Sequence, residues 1–276
     1  MKKYLLGIVS LAASTFAVCL MTASSGRAAS PDARPNVLFI MVDEMRWDVL
    51  SSAGHPFVRT PHLDALAREG TRFEATYTCA PVCVPSRYSA FSGRYAHVHG
   101  SLGNEMRARD GELFLPDILR HIGYETAISG KLHFLPRNLP HGFDHFWSFA
   151  NEGPGKLQTW PEYLAEKHGP GARKIVDQPF PDDPLGKDIG RLTIPKEDQQ
   201  SFWITNRAVD FLHRRDRAKP FFLFVSYYDP HSPSHLTEPY WSMYDPKDMP
   251  VPKIPEAIKR ERAAALAAGA SGPGPA

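Results

Sequence analysis

Pro35-Asn-Val-Leu-Phe-Ile-Met-Val-Asp43 sets six apolar residues between a proline-led entry and a carboxylate. Such a run, with β-branched and aromatic side chains and no polar alternation, predicts a strand buried on both faces, as in parallel sheets. The acid closing it stands at the strand's C-terminal end, where open α/β sheets place their ligands. A second run of the same kind, Pro220-Phe-Phe-Leu-Phe-Val-Ser-Tyr-Tyr-Asp229, also ends in an acid and leads into Pro230-His231. Between the two, the pattern alternates. A helix is predicted over 60–70, with Thr60 as cap, Pro61 in the first turn and Gly70 as stop. A strand is predicted over 71–76, then a helix over 85–92 that opens on Pro85 and leaves through Gly93. A third helix over 113–122 closes at Gly123, and a strand over 124–129 runs into Gly130-Lys131. Residues 136–195 dissolve into Pro-, Gly- and aromatic-rich sequence that predicts substrate-facing loops. Residues 198–217 predict a long amphipathic helix. Strand, helix and strand, with acids and histidines at strand ends, make an α/β layered enzyme fold.

The 276 residues are 42% hydrophobic and 22% charged, which excludes wholesale disorder. The net charge of +2 lacks the basic excess of a nucleic-acid binder, and no polyanion partner is implied. Residues 1–28 read as a secretory signal: Lys2-Lys3, an apolar run from Tyr4 to Met21, and small Gly26 and Ala28 before a cleavage point. A membrane anchor is the competing reading, since the run is as long as the shortest spanning helices. Its Ser and Thr content and small-residue exit favour cleavage. The expected protein is periplasmic or secreted, with no stable membrane insertion after signal cleavage. Once Cys19 leaves with the signal, Cys79 and Cys83 remain. Their close spacing around Pro81 makes a local disulfide awkward.

Four ordered blocks carry a resemblance. Cys83-Val-Pro-Ser-Arg87 through Gly93-Arg94 resembles the signature of the sulfatase family. Gly123-Tyr-x-Thr-Ala-x-x-Gly130-Lys131-x-His133 is similar to its second signature. Asp43 at its strand end and Asp229-Pro-His231-x-Pro233 are similar to two further blocks, all in family order between residues 34 and 233. The stretches 129–135 and 140–143 look closest to the choline-sulfatase-like branch. The resemblance implies an alkaline-phosphatase-like fold, a three-layer α/β/α sandwich on a mostly parallel central sheet with the C-terminal part missing.

It also implies a chemistry. The signature cysteine, here Cys83, would be oxidised by a formylglycine-generating maturation enzyme to an aldehyde whose hydrate carries two hydroxyls. One attacks the sulfur of a sulfate ester and the other later expels sulfate. Arg87, one turn on, would hold the hydrate. Lys131 would clamp the sulfate and His133 serve as leaving-group acid, with His231 and Asn104 contacting the sulfate region. A divalent cation, calcium first with magnesium or manganese as alternatives, would be held by Asp43, Glu44 and the group made from Cys83. Glu44 departs from the Asp or Gln usual at that place. The bland alternatives stand beside these roles: Asp43 as a strand terminator, and Lys131 and His133 as solvated loop residues. Trp147, Trp160, Tyr163 and Trp203 read better as packing or pinning residues than as substrate platforms.

Three functional readings follow: an exported sulfuric ester hydrolase acting on aryl, choline or sugar sulfates, a phosphate or phosphonate monoester hydrolase of the same superfamily, or a non-catalytic anion-binding remnant. The family's later metal ligands find no match after His231, where the only aspartates are Asp245 and Asp248. The expected organisation is therefore a signal over 1–28, an incomplete catalytic domain over 29–258 and an Ala/Gly/Pro-rich tail over 259–276. Reduced cation affinity and activity are expected, as is a bare sheet edge beside residues 221–228.

Overall fold

The computed structural model describes residues 34–148, 152–154, 159–170, 189–249 and 254–267. The expected signal over 1–28 and the end of the tail, 268–276, lie outside the described residues. The N-terminal elements are β1 (Val37–Val42), α1 (Pro61–Glu69), α2 (Cys83–Ser92), α3 (Ala96–His99) and α4 (Leu115–His121). Then come β2 (Glu125–Gly130), β3 (His145–Trp147), α5 (Trp160–His168) and β4 (Ile189–Arg191). The chain continues through α6 (Gln200–Arg214), β5 (Phe221–Tyr227), β6 (Ser234–Leu236) and α7 (Glu256–Ala267). Among the described residues no helix is long and apolar enough to cross a membrane.

The main sheet is wholly parallel, in the order β1-β5-β2-β3. Side-chain alternation sorts its two faces. Phe222 and Phe224 of β5 join Phe39 of β1 and Ile128 of β2 against Tyr88 and Phe91 of α2. Leu223 and Val225 turn the other way, onto Trp203, Ile204 and Phe211 of α6. With helices on both faces, this is the three-layer α/β/α architecture. The inner strand needs apolar residues at every position, which is why 221–225 reads without alternation.

Four expectations need correction. Among the described residues the edges of the sheet are β1 and β3, not β5, which lies between β1 and β2. The face of β1 away from α2 has little cover among the described residues, leaving Leu38 at 52% and Ile40 at 47% exposure. Residues 71–76 form no strand; Phe73 and Tyr77 stand exposed, and an extended segment without a neighbour has nothing to take its backbone hydrogen bonds. Helix α2 opens at Cys83, so Pro85 sits third, where its missing N–H still costs no helical bond. The region 136–195 is not loop throughout, since it supplies β3, α5 and β4. The packing expectation for the aromatics holds: Trp160 and Trp203 are buried, and Trp160 Nε1 donates to the Asp198 carbonyl at 2.8 Å.

Candidate active site

Three parallel strands ending side by side create the site. Asp43 follows β1, its N–H donating to the Tyr227 carbonyl at 3.0 Å and prolonging the β1–β5 ladder. Lys131 follows β2 through Gly130, whose φ is +111°. A Cβ at Gly130 would lie 1.9 Å from the Ser226 carbonyl oxygen, so the two strands approach this closely only because residue 130 has no side chain. Helix α2 points its N-terminus at the same end. Its N-cap residue, Val82, offers no capping side chain; Asn104 substitutes from a distance, its Oδ1 accepting from Val84 N–H at 3.0 Å.

Charges converge there. The Lys131 ammonium pairs with Asp43 Oδ2, and its Nζ lies 3.8 Å from Cys83 Sγ. The Cys83 thiol in turn lies 3.8 Å from Asp43 Oδ1. Arg87, 1% exposed, donates through one terminal nitrogen to the Lys131 carbonyl at 2.6 Å and to Ser226 Oγ at 3.0 Å. Its other terminal nitrogen is 3.5 Å from Asp43 Oδ1, buried and without a hydrogen-bond partner. That leaves a donor in reserve. Burial alone would raise the Asp43 pKa, but Arg87 and Lys131 outweigh it and hold the carboxyl below its usual range. Burial pushes the Cys83 thiol up, with Asp43 and Glu44 adding to it against the opposing Lys131 and Arg87. As encoded, the cysteine is a thiol and a poor nucleophile.

A cavity of about 630 Å³ opens over this group, and Asp43, Glu44, Cys83, Arg87, Asn104 and His231 line it. His231 Nδ1 donates to the Ser232 carbonyl at 2.5 Å, while its Nε2 lies 3.3 Å from Glu44 Oε1. Ligand atoms of Asp43, Cys83 and His231 fall within 4.8 Å of one another. Of these three only Asp43 offers the oxygen that a hard cation takes as the chain is encoded, and Glu44 is half-exposed and turned toward His231. A hard cation takes about six or more oxygens, and the described residues supply only part of that shell.

His133 is not in the cavity lining. It adopts φ 61° beyond Lys131, and Arg137 donates to its Nε2 at 3.1 Å. Arginine cannot accept, so the ring proton belongs on Nδ1, which is buried without a partner. Burial, then Lys131, Arg137 and Arg87, push the His133 pKa down to about 4. The imidazole is therefore neutral near pH 7, and service as a proton donor requires Arg137 to withdraw.

Three contributors escape a reading of the sequence. Ser226 is the one serine within the otherwise apolar and aromatic β5, a signal present in the sequence. Tyr228 places its ring centroid 5.1 Å from Lys131 Nζ and 4.5 Å from the His231 ring centroid. Burial, then Asp43 and Glu44, push its phenol up to about 12. Glu152, from the stretch expected to be loop, gives no sequence signal at all.

Comparison with known proteins matches this arrangement. The Sulfatase family model covers residues 35–267. An arylsulfatase of Clostridium perfringens is 34% identical over 251 residues, 83% of this chain and 50% of its own length. A choline-sulfatase of Rhizobium meliloti is 28% identical, covering 80% of this chain and 43% of its own. The crystal structure of a phosphonate monoester hydrolase of Agrobacterium radiobacter superposes with a TM-score of 0.67 at 27% identity, over 86% of this chain and 49% of that one. The chain spans about half the length of the curated relatives it matches. With its parallel sheet, its helix-terminal Cys83 and its family-model match over most of its length, the chain belongs to the sulfatase family.

Proposed function

We propose that the protein is an exported sulfuric ester hydrolase whose nucleophile is a formylglycine made from Cys83, assisted by a divalent cation. The observation that carries this reading is the side chain of residue 83 at the N-terminus of α2, flanked by Asp43 and Lys131 and backed by the spare donor of Arg87. The helix terminus and the two cations favour a tetrahedral anion at that point. Arg87 and Lys131 orient the anion, and Asn104 keeps the helix terminus in place. Asp43, Glu44 and the oxygen of residue 83 would hold the cation, with His231 beside them, and the cation would polarise an ester oxygen. An aldehyde hydrate at residue 83 would supply the oxygen nucleophile that the thiol is not. Calcium is the first choice of ion, with magnesium and manganese behind it. The substrates proposed are small aryl, choline or sugar sulfates, and a formylglycine-generating enzyme is the maturation partner.

The test has two readouts. Mass spectrometry of the tryptic peptide ending at Arg87, from a host with a maturation system, should show the aldehyde; an unmodified thiol sinks the reading. An aryl-sulfate assay with each ion should then give metal-dependent turnover. The likeness to a phosphonate monoester hydrolase supports a second reading, phosphate or phosphonate ester hydrolysis at the same site. Faster turnover of an aryl phosphonate than of the aryl sulfate would select it.

A further inference from the structure

We propose that Glu152 is a positioning residue of this site, holding the turn that carries Lys131 and His133 and setting where Arg137 stands. The inference rests on the anion-binding reading just given. The Lys131 N–H makes the last bond of the strand ladder, to the Ser226 carbonyl at 3.1 Å. Beyond it the chain leaves the sheet, and the next two amides need other acceptors. One oxygen of Glu152 serves both: Oε2 accepts from Leu132 N–H at 3.0 Å and from His133 N–H at 3.2 Å. A carboxylate from 20 residues downstream thus replaces the neighbouring strand that the turn has left behind. Charge-assisted bonds of this kind are about twice as strong as neutral ones. They help hold His133 in its left-handed conformation.

The other oxygen does a different job. Oε1 lies 3.5 Å from Arg137 Nη1, and Arg137 Nη2 is the group that donates to His133 Nε2. The Glu152 side chain is only 4% exposed, whereas that of Arg137 is 45% exposed. The buried partner is fixed and the exposed one is held by it. Glu152 therefore ties the backbone of the turn and the tautomer of His133 to one carboxylate, without touching the cavity itself.

The experiment compares Glu152→Ala with Glu152→Gln in the full chain. Its readouts are amide hydrogen exchange of the peptide over 131–135 and titration with inorganic sulfate. Glu152→Ala should speed exchange at Leu132 and His133 by about tenfold or more and weaken sulfate binding by about tenfold. Glu152→Gln keeps an oxygen acceptor for the two amides and should restore both readouts to within about threefold of the parent. Exchange that rises throughout the molecule, with Gln no better than Ala, would mean a merely structural carboxylate and overturn the proposal. Unchanged protection at Leu132 and His133 in Glu152→Ala would overturn it as well. If the parent chain fails to bind sulfate, the anion-site reading fails, and exchange with its rescue by Gln still decides the role of Glu152.

Discussion

Two aspartates, each almost wholly buried, stand in opposite circumstances. Asp198 is 1% exposed and its side chain is fully occupied: Lys167 Nζ donates at 2.6 Å, His168 Nε2 lies at 2.8 Å, and the Tyr163 hydroxyl donates as well. These partners all come from α5, so the carboxylate pins that helix to the start of α6. Asp43 is 7% exposed and also faces two cations, Lys131 and Arg87. Both of those cations are themselves buried, and the carboxylate has a cavity on its open side. The difference is in the surroundings. A buried carboxylate whose partners close around it is a fastening, whereas one backed by immobile cations and left open in front can receive a ligand.

The largest effects should separate the two residues by activity. Cys83→Ala and Asp43→Asn should each reduce aryl-sulfate turnover by at least about a thousandfold, read as kcat/KM. Asp198→Asn, assayed cold so that it stays folded, should leave it within about threefold. A comparable loss at Asp198 would break the contrast. Stability comes next. Asp198→Ala strands the donors of α5, and urea denaturation should show a loss of about 2–3 kcal/mol with an unchanged slope. A loss below about 0.5 kcal/mol would mean that the α5 fastening is ornamental.

Acid should sharpen the same contrast. Burial would raise the Asp198 pKa, but hydrogen bonds from Lys167, Tyr163 and His168 outweigh it and leave it lowered. A depressed folded-state value gives stability that is complete above the unfolded carboxylate pKa of about 4. That contribution is lost as the pH falls from there toward the lower folded value. Denaturation midpoints between pH 6 and pH 3 should therefore fall more steeply in the parent than in Asp198→Asn. The smallest effect concerns β1. Leu38→Lys and Ile40→Lys should change stability by less than about 0.5 kcal/mol. They should lessen concentration-dependent association, measured by light scattering, since they place charge on an edge strand. Strong destabilisation instead would show that this face is covered.

Much of the architecture was legible because burial on both faces leaves a plain trace. The apolar runs ending at Asp43 and Asp229 gave β1 and β5, and Gly93 marked the end of α2. What could not be read was adjacency. Strand order depends on long-range pairing, so nothing in residues 221–227 says that they lie inside the sheet and residues 37–42 at its edge. The segment 71–76 shows the reverse error, with local β-propensity and no neighbour to use it. At the site, Asp43 announces itself by its position at a strand end, and Cys83 and Lys131 by the signature blocks to which they belong. Glu152 does not, because a carboxylate that works by accepting two distant backbone amides leaves no spacing to detect.

Gly130 changes how functional data on this protein should be read. Arg87 bridges the two strand ends that meet at this glycine, bonding the Lys131 carbonyl on one and Ser226 on the other. Any side chain at residue 130 would wedge those ends apart and pull the bridge, the lysine and the histidine turn out of register together. In a mutational scan scored by turnover, residue 130 would be as intolerant as the nucleophile, although it offers no atom to the reaction. Intolerance there would report the spacing of a frame, and only a second screen for folded protein would tell the two kinds of silence apart.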